Sequence, residues 1–278
     1  MKLKIAIPSY KRPEQIKKMS LALLEEAGIE NSSIYIFVSN QKEYEDYSYL
    51  KDASYNLVYT KDLSNLQEKH NFIMDYFDVG ERIVVMEDDI KCLKRKNGNR
   101  VVKYTDFKKL VNDAWEHCDK LGTKLWGVYP MANGMFMDES ITSKLICIAG
   151  YLFGVEITKD PFLRCNTENK HDYERSILYY VKYGSLCRIN YIAQYSSSFT
   201  NKGGLQAQHS NEERCKNEIK GNDYLVHRFP HLVKKHNRMN KVFDRPTELR
   251  MMDIDKDSKQ DLFALQKLLD KQNGYSHG

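Results

Sequence analysis

The chain has 278 residues, of which 41% are hydrophobic, 29% charged and 12% aromatic, and 43 Lys and Arg against 38 Asp and Glu give a formal net charge of +5. This composition is too apolar for a disordered chain and too charged for a membrane protein. The apolar stretch at residues 145–155 is far shorter than the ~20 residues that span a bilayer, and residues 1–8 lack a signal-peptide pattern. We therefore expect a globular protein of the cytoplasm.

The cysteines favour the same compartment. All six are spread over more than a hundred residues, and no two of them form a C-x-x-C pair. Structural zinc sites need closely spaced ligands, and disulfide frameworks belong to secreted proteins. We expect reduced thiols with mainly structural roles.

Charge is distributed unevenly along the chain. Residues 1–90 contain 11 basic and 16 acidic side chains, whereas residues 91–250 contain 28 basic and 17 acidic ones, a net charge of +11. An excess of this sign suits a polyanion such as nucleic acid or a sugar phosphate. Ordinary solvation by lysine explains the excess equally well, so charge alone leaves both interpretations open.

The first 90 residues alternate between predicted strands and predicted helices. Short apolar runs bounded by turn residues predict the strands, and apolar residues at helical spacing predict the helices. The strands are expected at residues 2–8, 33–38, 56–59 and 82–86, and the helices at residues 14–27 and 66–77. This order is typical of a doubly wound parallel sheet.

A basic segment opens the second part of the chain. Residues 91–103 are predicted to form a loop, followed by a helix at residues 105–121 with Thr105 as its N-cap. Further strands are expected at residues 125–130, 145–155 and 186–193, and further helices at residues 171–183 and 261–271. No internal repeat or low-complexity linker divides the sequence, so we expect one domain at residues 1–215 and, packed on it, a basic and then helical extension at residues 216–278.

Three adjacent acids, Glu87, Asp88 and Asp89, follow the fourth predicted strand. Open α/β sheets bind their ligands beyond the carboxyl ends of the strands, so the acids are expected in that crevice. They repel one another unless a cation joins them, and carboxylate oxygens suit Mg²⁺ or Mn²⁺, which in turn holds a diphosphate. An acidic turn after an edge strand explains the same three residues, and the sequence alone leaves that alternative open.

Four segments together resemble the glycosyltransferases of the GT-A fold: I-P-S-Y-K-R-P, I-Y-I-F-V-S-N, K-H-N-F-I and V-V-M-E-D-D-I. The resemblance implies an α/β protein with a Rossmann-like mixed sheet, flanking helices and a helical C-terminal extension. It also implies a nucleotide-sugar donor, with a UDP-sugar preferred, and a Mn²⁺ or Mg²⁺ ion held by Asp89. His70 departs from the family, which usually has Arg there. The implied donor contacts in this half are Pro8, Ser9, Tyr10, Arg12, Ser39, Asn40, Lys69, Asn71, Glu87 and Asp88.

The second half of the chain extends the resemblance. The segment H-D-Y-E-R resembles the acidic motif that supplies the catalytic base in many of these enzymes, which implies Asp172 as the base and Glu174 as a second catalytic candidate. A carboxylate at a helix N-terminus is stabilised there and can accept a proton from an attacking hydroxyl, although an ordinary surface charge explains it too. Further on, a Gly-rich turn suits a donor phosphate, and a histidine stands where some of these enzymes have a further metal ligand. These residues are Lys202, Gly203, Gly204 and His209.

The segments S-Y-K-R-P, E-D-D-I, D-Y-E-R, R-I-N-Y-I and K-G-G-L-Q resemble a narrower group, the TET-associated glycosyltransferases and related bacteriophage enzymes. This resemblance covers residues 3–215 and implies a hexosyl- or pentosyltransferase that modifies 5-hydroxymethylcytosine, or a related pyrimidine, in double-stranded DNA. The basic segment then supplies the DNA contacts. Those contacts are Lys94, Arg95, Lys96 and Arg100.

Three alternatives remain at this stage. The first is a glycosyltransferase with a saccharide acceptor, which shares every donor-side feature. The second is a nucleotidyltransferase, but S-Y-K-R-P lacks the glycines that such an enzyme places after its first strand. The third is a nucleic-acid-binding module without catalysis, whose acids are structural. The donor sugar, the stereochemical outcome and the oligomeric state have no readable signal in the sequence.

Overall fold

The computed structural model describes residues 3–63, 65–196, 210–240, 245–252, 254 and 262–275. One mixed sheet of ten strands forms its centre. The strands of this sheet are β1 (Lys4–Pro8), β2 (Ile34–Val38), β3 (Asn56–Tyr59), β4 (Arg82–Met86), β5 (Ile90–Asn97), β6 (Arg100–Tyr104), β7 (Leu125–Tyr129), β8 (Ile141–Thr142), β9 (Leu152–Glu156) and β10 (Cys187–Ser196). Their order is β3-β2-β1-β4-β9-β7-β10-β5-β6, and β8 pairs with β10 outside this path.

The first half of the sheet confirms the predicted parallel arrangement. β1 pairs in parallel with β2 and β4, and β2 pairs in parallel with β3. These strands read as continuous apolar runs because helices cover both faces of the sheet, and β4 is buried at every position after Arg82. The mixed character comes from β9, which runs antiparallel to both β4 and β7.

Helices pack on both faces of the sheet. The first helical segment is not uniform, because a π-helical stretch at Lys17–Leu21 separates α1 from α2. Apolar residues from the two faces form two clusters of buried side chains, one on each side of the sheet. The helices are α1 (Pro13–Ile16), α2 (Ala22–Glu26), α3 (Gln41–Asp46), α4 (Tyr49–Asp52), α5 (Leu66–Tyr76), α6 (Phe107–Leu121), α7 (His171–Tyr183), α8 (Asn211–Arg228) and α9 (Leu262–Gln272).

Three local predictions are wrong. The basic segment is an antiparallel hairpin of β5 and β6 rather than a loop, turning at Gly98 with φ 58°. The N-cap of α6 is Asp106, whose side chain accepts from the backbone N–H of Lys109 at 3.0 Å, and not Thr105. Only Leu152–Glu156 of the predicted strand at residues 145–155 is extended in the sheet.

The C-terminal part continues the same body. α8 runs through residues 215 and 216, so the predicted division falls inside a helix. A separate two-stranded sheet of β11 (Val233–Asn240) and β12 (Arg245–Met251) packs against α8, and α9 packs against α7. Among the described helices, none is both long enough and apolar enough to cross a membrane.

Candidate active site at the carboxyl edge of the sheet

The ends of several strands meet at one edge of the sheet. β1 and β4 both point their carboxyl ends there, and Met86 at the end of β4 pairs with Leu152 at the start of β9. β7 runs parallel to β4, because both are antiparallel to the strand between them, so Tyr129 ends at this edge as well. The loop of residues 8–12, the acidic turn of residues 87–89 and the chain after Tyr129 therefore share one edge.

Two side chains from the α3 region hold the loop of residues 8–12. The Tyr47 hydroxyl lies 2.7 Å from Ser9 Oγ and accepts from the Arg12 backbone N–H at 2.8 Å. Glu43 accepts from the backbone N–H groups of Lys11 at 2.9 Å and Ser39 at 2.7 Å. The sequence did not predict a role for Tyr47 or Glu43, although Glu43 follows Asn40 at the spacing of a helix-capping pair.

The acidic turn is paired with the same loop. One guanidinium nitrogen of Arg12, Nη1, lies 2.9 Å from Asp88 Oδ1 and 3.3 Å from Asp89 Oδ2. Ser9 Oγ donates to the other oxygen of Asp88 at 2.6 Å. Asp88 and Asp89 are buried, and Asp89 Oδ1 has no hydrogen-bond partner among the described residues. The structure thus brings Ser9, Arg12, Asp88 and Asp89 into contact with one another.

Ser20 fixes the backbone of the acidic turn from the π-helical stretch. Its hydroxyl donates to the Glu87 carbonyl at 2.6 Å and accepts from the Ile90 N–H at 3.0 Å. The Glu87 N–H donates to the Tyr151 carbonyl at 2.9 Å. These bonds set the direction in which the three acids leave the strand. π-Helical turns of this kind are frequent at functional sites.

Glu87 makes stability depend on pH. Burial, and then the charges of Asp89 and Asp88, raise the pKa of Glu87 to about 8. Its ordinary value is 4.5, so between these two values the folded chain keeps a proton that the unfolded chain releases. The free energy of unfolding is therefore expected to fall as pH rises through this window. Urea unfolding with EDTA at pH 5 and pH 8 should show a smaller fall for Glu87→Gln, and an equal fall in both proteins would contradict the assignment.

Two residues of the K-H-N segment in α5, Lys69 and Asn71, face different parts of the structure. Lys69 Nζ donates to the Ser9 carbonyl at 2.7 Å and lies 5.3 Å from the centre of the Tyr10 ring, and burial lowers its pKa to about 8. Asn71 does not face the loop, because its amide donates to the Cys165 carbonyl at 2.8 Å and accepts from the Cys165 N–H at 3.3 Å. The predicted donor contact of Asn71 is therefore corrected to a structural role.

His70 is buried away from the loop. Its ring centre lies 5.0 Å from that of His171, and its Nδ1 lies 3.5 Å from Arg175 Nη1. Arg175 in turn stacks over Phe153 at 3.7 Å and donates to the Ile148 carbonyl at 3.1 Å. Burial is the main cause that lowers the pKa of both histidines. The sequence departure at His70 thus lies in a packed layer behind the site.

The second strand contributes a turn to the same edge. Asn40 is the N-cap of α3, and its side chain accepts from the Glu43 N–H at 2.9 Å, which gives it a structural role. The Ser39 hydroxyl is buried and has no hydrogen-bond partner among the described residues. The Ser39 hydroxyl is therefore available to a ligand at this edge, whereas the side-chain oxygen of Asn40 already accepts a hydrogen bond from α3.

Asp172 is half-buried in the first turn of α7, and its charge is among the smaller causes that raise the pKa of Glu87 in the acidic turn. Its Oδ1 accepts from the Tyr173 N–H at 3.0 Å, and Cys147 Sγ donates to its Oδ2 at 3.6 Å. Tyr151, which is 37% exposed, has its pKa raised to about 12 by burial and then by the charges of Glu87 and Asp172. Cys147 and Tyr151 carry no sequence signal of this role.

The structure contradicts the catalytic prediction for Glu174. Its side chain is fully buried, and its Oε1 lies 2.5 Å from Arg228 Nη1 and accepts from the Tyr224 hydroxyl at 2.7 Å. Its Oε2 accepts from the N–H groups of residues 166 and 167 at 2.7 and 2.9 Å. Arg228 also pairs with the buried Asp270 of α9 at 3.0 Å. Glu174 lies on the other side of α7 from Asp172, because residues two positions apart in an α-helix are separated by about 200° around its axis.

The four predicted DNA contacts lie on the β5–β6 hairpin. Lys96 Nζ donates to the Gly98 and Gly134 carbonyls at 2.8 and 2.6 Å, and Arg95 pairs with Glu139 at 3.5 Å. Lys94 lies 5.8 Å from the centre of the Tyr195 ring, and Arg100 is exposed. Two of these cations thus already have partners.

The chain after β7 adds three exposed apolar side chains next to the hairpin. They are Met131, Met135 and Phe136.

The remaining site predictions lie outside the described residues. These are Lys202, Gly203, Gly204 and His209. Within the part of the chain that the structure describes, no three Asp, Glu, His or Cys side chains come together in a way that could hold a metal ion. Asp88 and Asp89 are the carboxylates that Arg12 brings together here, so a cation bound to them would need further ligands from a bound molecule or water.

Comparisons by sequence give no relative, since neither a protein family nor a curated protein matches the chain. Comparison with solved structures does find similar proteins. The chain resembles TarS 1-349 of S. aureus with a TM-score of 0.52 and 11% identity over 99% of this chain and 74% of TarS 1-349. It also resembles the mannosyltransferase PcManGT of Pyrobaculum calidifontis, in complex with GDP-Man and Mn²⁺, with a TM-score of 0.50 and 12% identity over 99% of this chain and 75% of the other.

A third similar structure is the glucosyl-3-phosphoglycerate synthase of Mycobacterium tuberculosis, in complex with Mn²⁺, UDP-glucose and phosphoglyceric acid. Its TM-score is 0.53, with 8% identity over 91% of this chain and 87% of the synthase. These likenesses, together with the mixed sheet and its flanking helices, show the GT-A fold that the sequence predicted. At such low identity they establish the fold alone.

Proposed function

We propose that this protein is a metal-dependent glycosyltransferase that moves a sugar from a nucleotide sugar, preferably a UDP-sugar, to a hydroxyl group. The observation that carries the proposal is the cluster of Arg12, Asp88 and Asp89, next to the loop whose Ser9 carbonyl accepts from Lys69. Asp172 is close enough to this cluster to help raise the pKa of Glu87. Cations and paired carboxylates in one crevice suit a diphosphate and its metal ion. A third carboxylate near that crevice suits a proton acceptor.

The residues present fit a divalent cation in part. Carboxylate oxygens are the ligands that Mg²⁺ and Mn²⁺ prefer, and Asp89 Oδ1 is a buried oxygen without a hydrogen-bond partner among the described residues. Asp89, with Asp88 beside it, would hold the ion, which supplies charge neutralisation for a leaving diphosphate. Two of the similar glycosyltransferases were captured with Mn²⁺ and a nucleotide sugar, which supports the same cofactor here.

The side chains around this cluster divide the remaining work. Lys69 lies under the loop of residues 8–12 and supplies positive charge for the donor phosphates, as Arg12 does once it is released from the acids. The unused hydroxyl of Ser39 can bind the nucleotide at the neighbouring strand end. Asp172 accepts the proton of the attacking hydroxyl as the bond to the sugar forms.

Two observations bear on the acceptor, and they favour different substrates. The similar synthase was captured with phosphoglyceric acid, and PcManGT is a mannosyltransferase, which favours a saccharide or another small hydroxyl acceptor. The β5–β6 hairpin contains six basic residues and no acidic residue between positions 90 and 104, which favours a hydroxymethylated pyrimidine in DNA. The fold comparisons support the saccharide candidate better, whereas DNA rests on charge and on the sequence resemblance.

Donor binding tests the first part of this proposal. Titration calorimetry should show UDP binding that strengthens when Mn²⁺ is added. Replacing Asp89 by Asn removes a ligand charge, so the Mn²⁺-dependent gain in UDP affinity is expected to fall ~10-fold or more. Asp75→Asn, at an exposed carboxylate paired with Arg164, is the matched control and should leave the gain unchanged. A UDP affinity that changes neither when Mn²⁺ is added nor in Asp89→Asn would contradict the proposal.

One transfer experiment separates the two acceptors. The protein is incubated with Mn²⁺ and a panel of nucleotide sugars, together with either hydroxymethylcytosine DNA or a set of saccharides and hydroxy acids, and the products are identified by mass spectrometry. If DNA is the acceptor, transfer should fall steeply with added salt and in Arg100→Glu, because phosphate contacts release counterions. Transfer to saccharides that is insensitive to Arg100→Glu would establish the saccharide acceptor.

A further inference from the structure

The proposed function does not explain why Arg12 is paired with both Asp88 and Asp89. A single nitrogen of its guanidinium bridges two carboxylates, and the three side chains are only 11%, 7% and 4% exposed, in the order Arg12, Asp88, Asp89. With the Ser9 hydroxyl on Asp88 Oδ2, three of the four carboxylate oxygens have partners. Arg12 therefore lies where a cation that used both acids would have to bind.

A guanidinium and a divalent cation compete for these oxygens. Both are attracted to the same paired carboxylates, and two cations at contact distance repel each other strongly in a partly buried site. The Arg12 side chain can move away from the acids, because the backbone of Arg12 is held independently of its side chain. The Arg12 N–H donates to the buried Tyr47 hydroxyl at 2.8 Å, so the side chain can leave the acids while the loop stays in place.

We propose that Arg12 is an internal counter-ion that keeps the acids neutralised until a nucleotide diphosphate arrives. Arg12 then exchanges Asp88 and Asp89 for the phosphates, with which a guanidinium forms strong hydrogen bonds. The inference rests on the proposed function and adds to it a coupling between the binding of the metal ion and the binding of the diphosphate. Because coupling between two ligands is reciprocal, the diphosphate strengthens metal binding as much as the metal strengthens diphosphate binding.

Mn²⁺ binding itself provides the test. Free Mn²⁺ is measured by electron paramagnetic resonance with and without UDP. The wild-type protein should bind Mn²⁺ weakly alone and at least ~10-fold more tightly with UDP, within the range typical of coupled sites. Arg12→Gln removes the competing charge, so Mn²⁺ alone should bind at least ~10-fold more tightly than to the wild type, while the gain from UDP shrinks. Arg12→Lys keeps a charge and should retain weak binding of Mn²⁺ alone.

Arg164→Gln is the matched control, because it breaks an arginine–aspartate pair at 2.8 Å away from the site. It should leave both Mn²⁺ affinities unchanged. Equal or weaker binding of Mn²⁺ alone by Arg12→Gln, with normal UDP binding by the wild type, overturns the counter-ion inference only. Failure of the wild type to bind UDP or GDP, with or without Mn²⁺, overturns the proposed function. Should Arg12→Gln fail to fold, equal Mn²⁺ affinities of the wild type with and without UDP overturn the inference.

Discussion

Replacing Asp172 by Asn is expected to lower turnover by ~10²-fold or more, the contribution of a general base. Asp172 is a half-buried carboxylate in the first turn of α7, and it is close enough to Glu87 and Tyr151 to contribute to the raised pKa of both groups. Asparagine has the same shape and can still accept from the Tyr173 N–H. The affinities for donor and acceptor should therefore change little, since proton acceptance matters only in the transition state.

Glu174→Gln is the informative comparison for this prediction, because it neutralises the neighbouring carboxylate of the same helix. Its carboxylate is enclosed by Arg228 and Tyr224, so the variant should lose stability while each folded molecule keeps nearly normal turnover. Initial rates and thermal unfolding are measured on both variants. Near-normal rates for Asp172→Asn would remove it as the base, and a selective loss of rate in Glu174→Gln would return the role to Glu174.

Arg228→Met is expected to lower the free energy of unfolding by about 3–5 kcal/mol. Arg228 joins Glu174 of α7 to Asp270 of α9, and all three side chains are fully buried. Removing Arg228 takes away a positive charge that both buried carboxylates share, so their own charges are less well compensated in the core. The loss should appear in urea unfolding monitored by circular dichroism.

Two comparisons give this result its meaning. Arg164→Met breaks an ion pair whose side chains are about half exposed and should cost less than about 1 kcal/mol. Combining Arg228→Met with Glu174→Gln and Asp270→Asn removes all three charges and should restore much of the loss, because buried ions are costly chiefly when left unpaired. If Arg228→Met costs no more than Arg164→Met, the three charges do not join the helices in solution.

The parts of the fold that follow from local pattern could be predicted from the sequence. β2, β3 and β4 are short apolar runs, and the structure confirms them within one residue of the expected ends. The sequence does not predict the β5–β6 hairpin because its lysines and arginines obscure the apolar alternation of a strand, and charged side chains are common on an edge strand such as β6. The two turn residues, Gly98 and Asn99, are a usable signal, since a Gly-Asn pair between two strands favours a two-residue hairpin turn.

The site divides in the same way. The acidic turn could be expected at a sheet edge because it directly follows a strand, and Arg12 belongs to the loop after the first strand. The roles of Glu174 and Tyr47 could not be expected, because their partners are distant in sequence. Arg228 is 54 residues from Glu174, and Ser9 is 38 residues from Tyr47. Only the packing of helices on the sheet brings such pairs together.

The π-helical stretch at Lys17–Leu21 ties the length of a helix to the geometry of the site. Successive residues of a regular α-helix are rotated by about 100° around its axis, so losing one residue here would turn Ser20 away from the strand end. The shortened helix would gain regular hydrogen bonding, yet the Glu87 carbonyl and the Ile90 N–H would lose their shared partner. Single-residue deletions in this stretch should therefore yield proteins that fold well and position the acids badly, so that natural length variation in this helix would trade activity for stability.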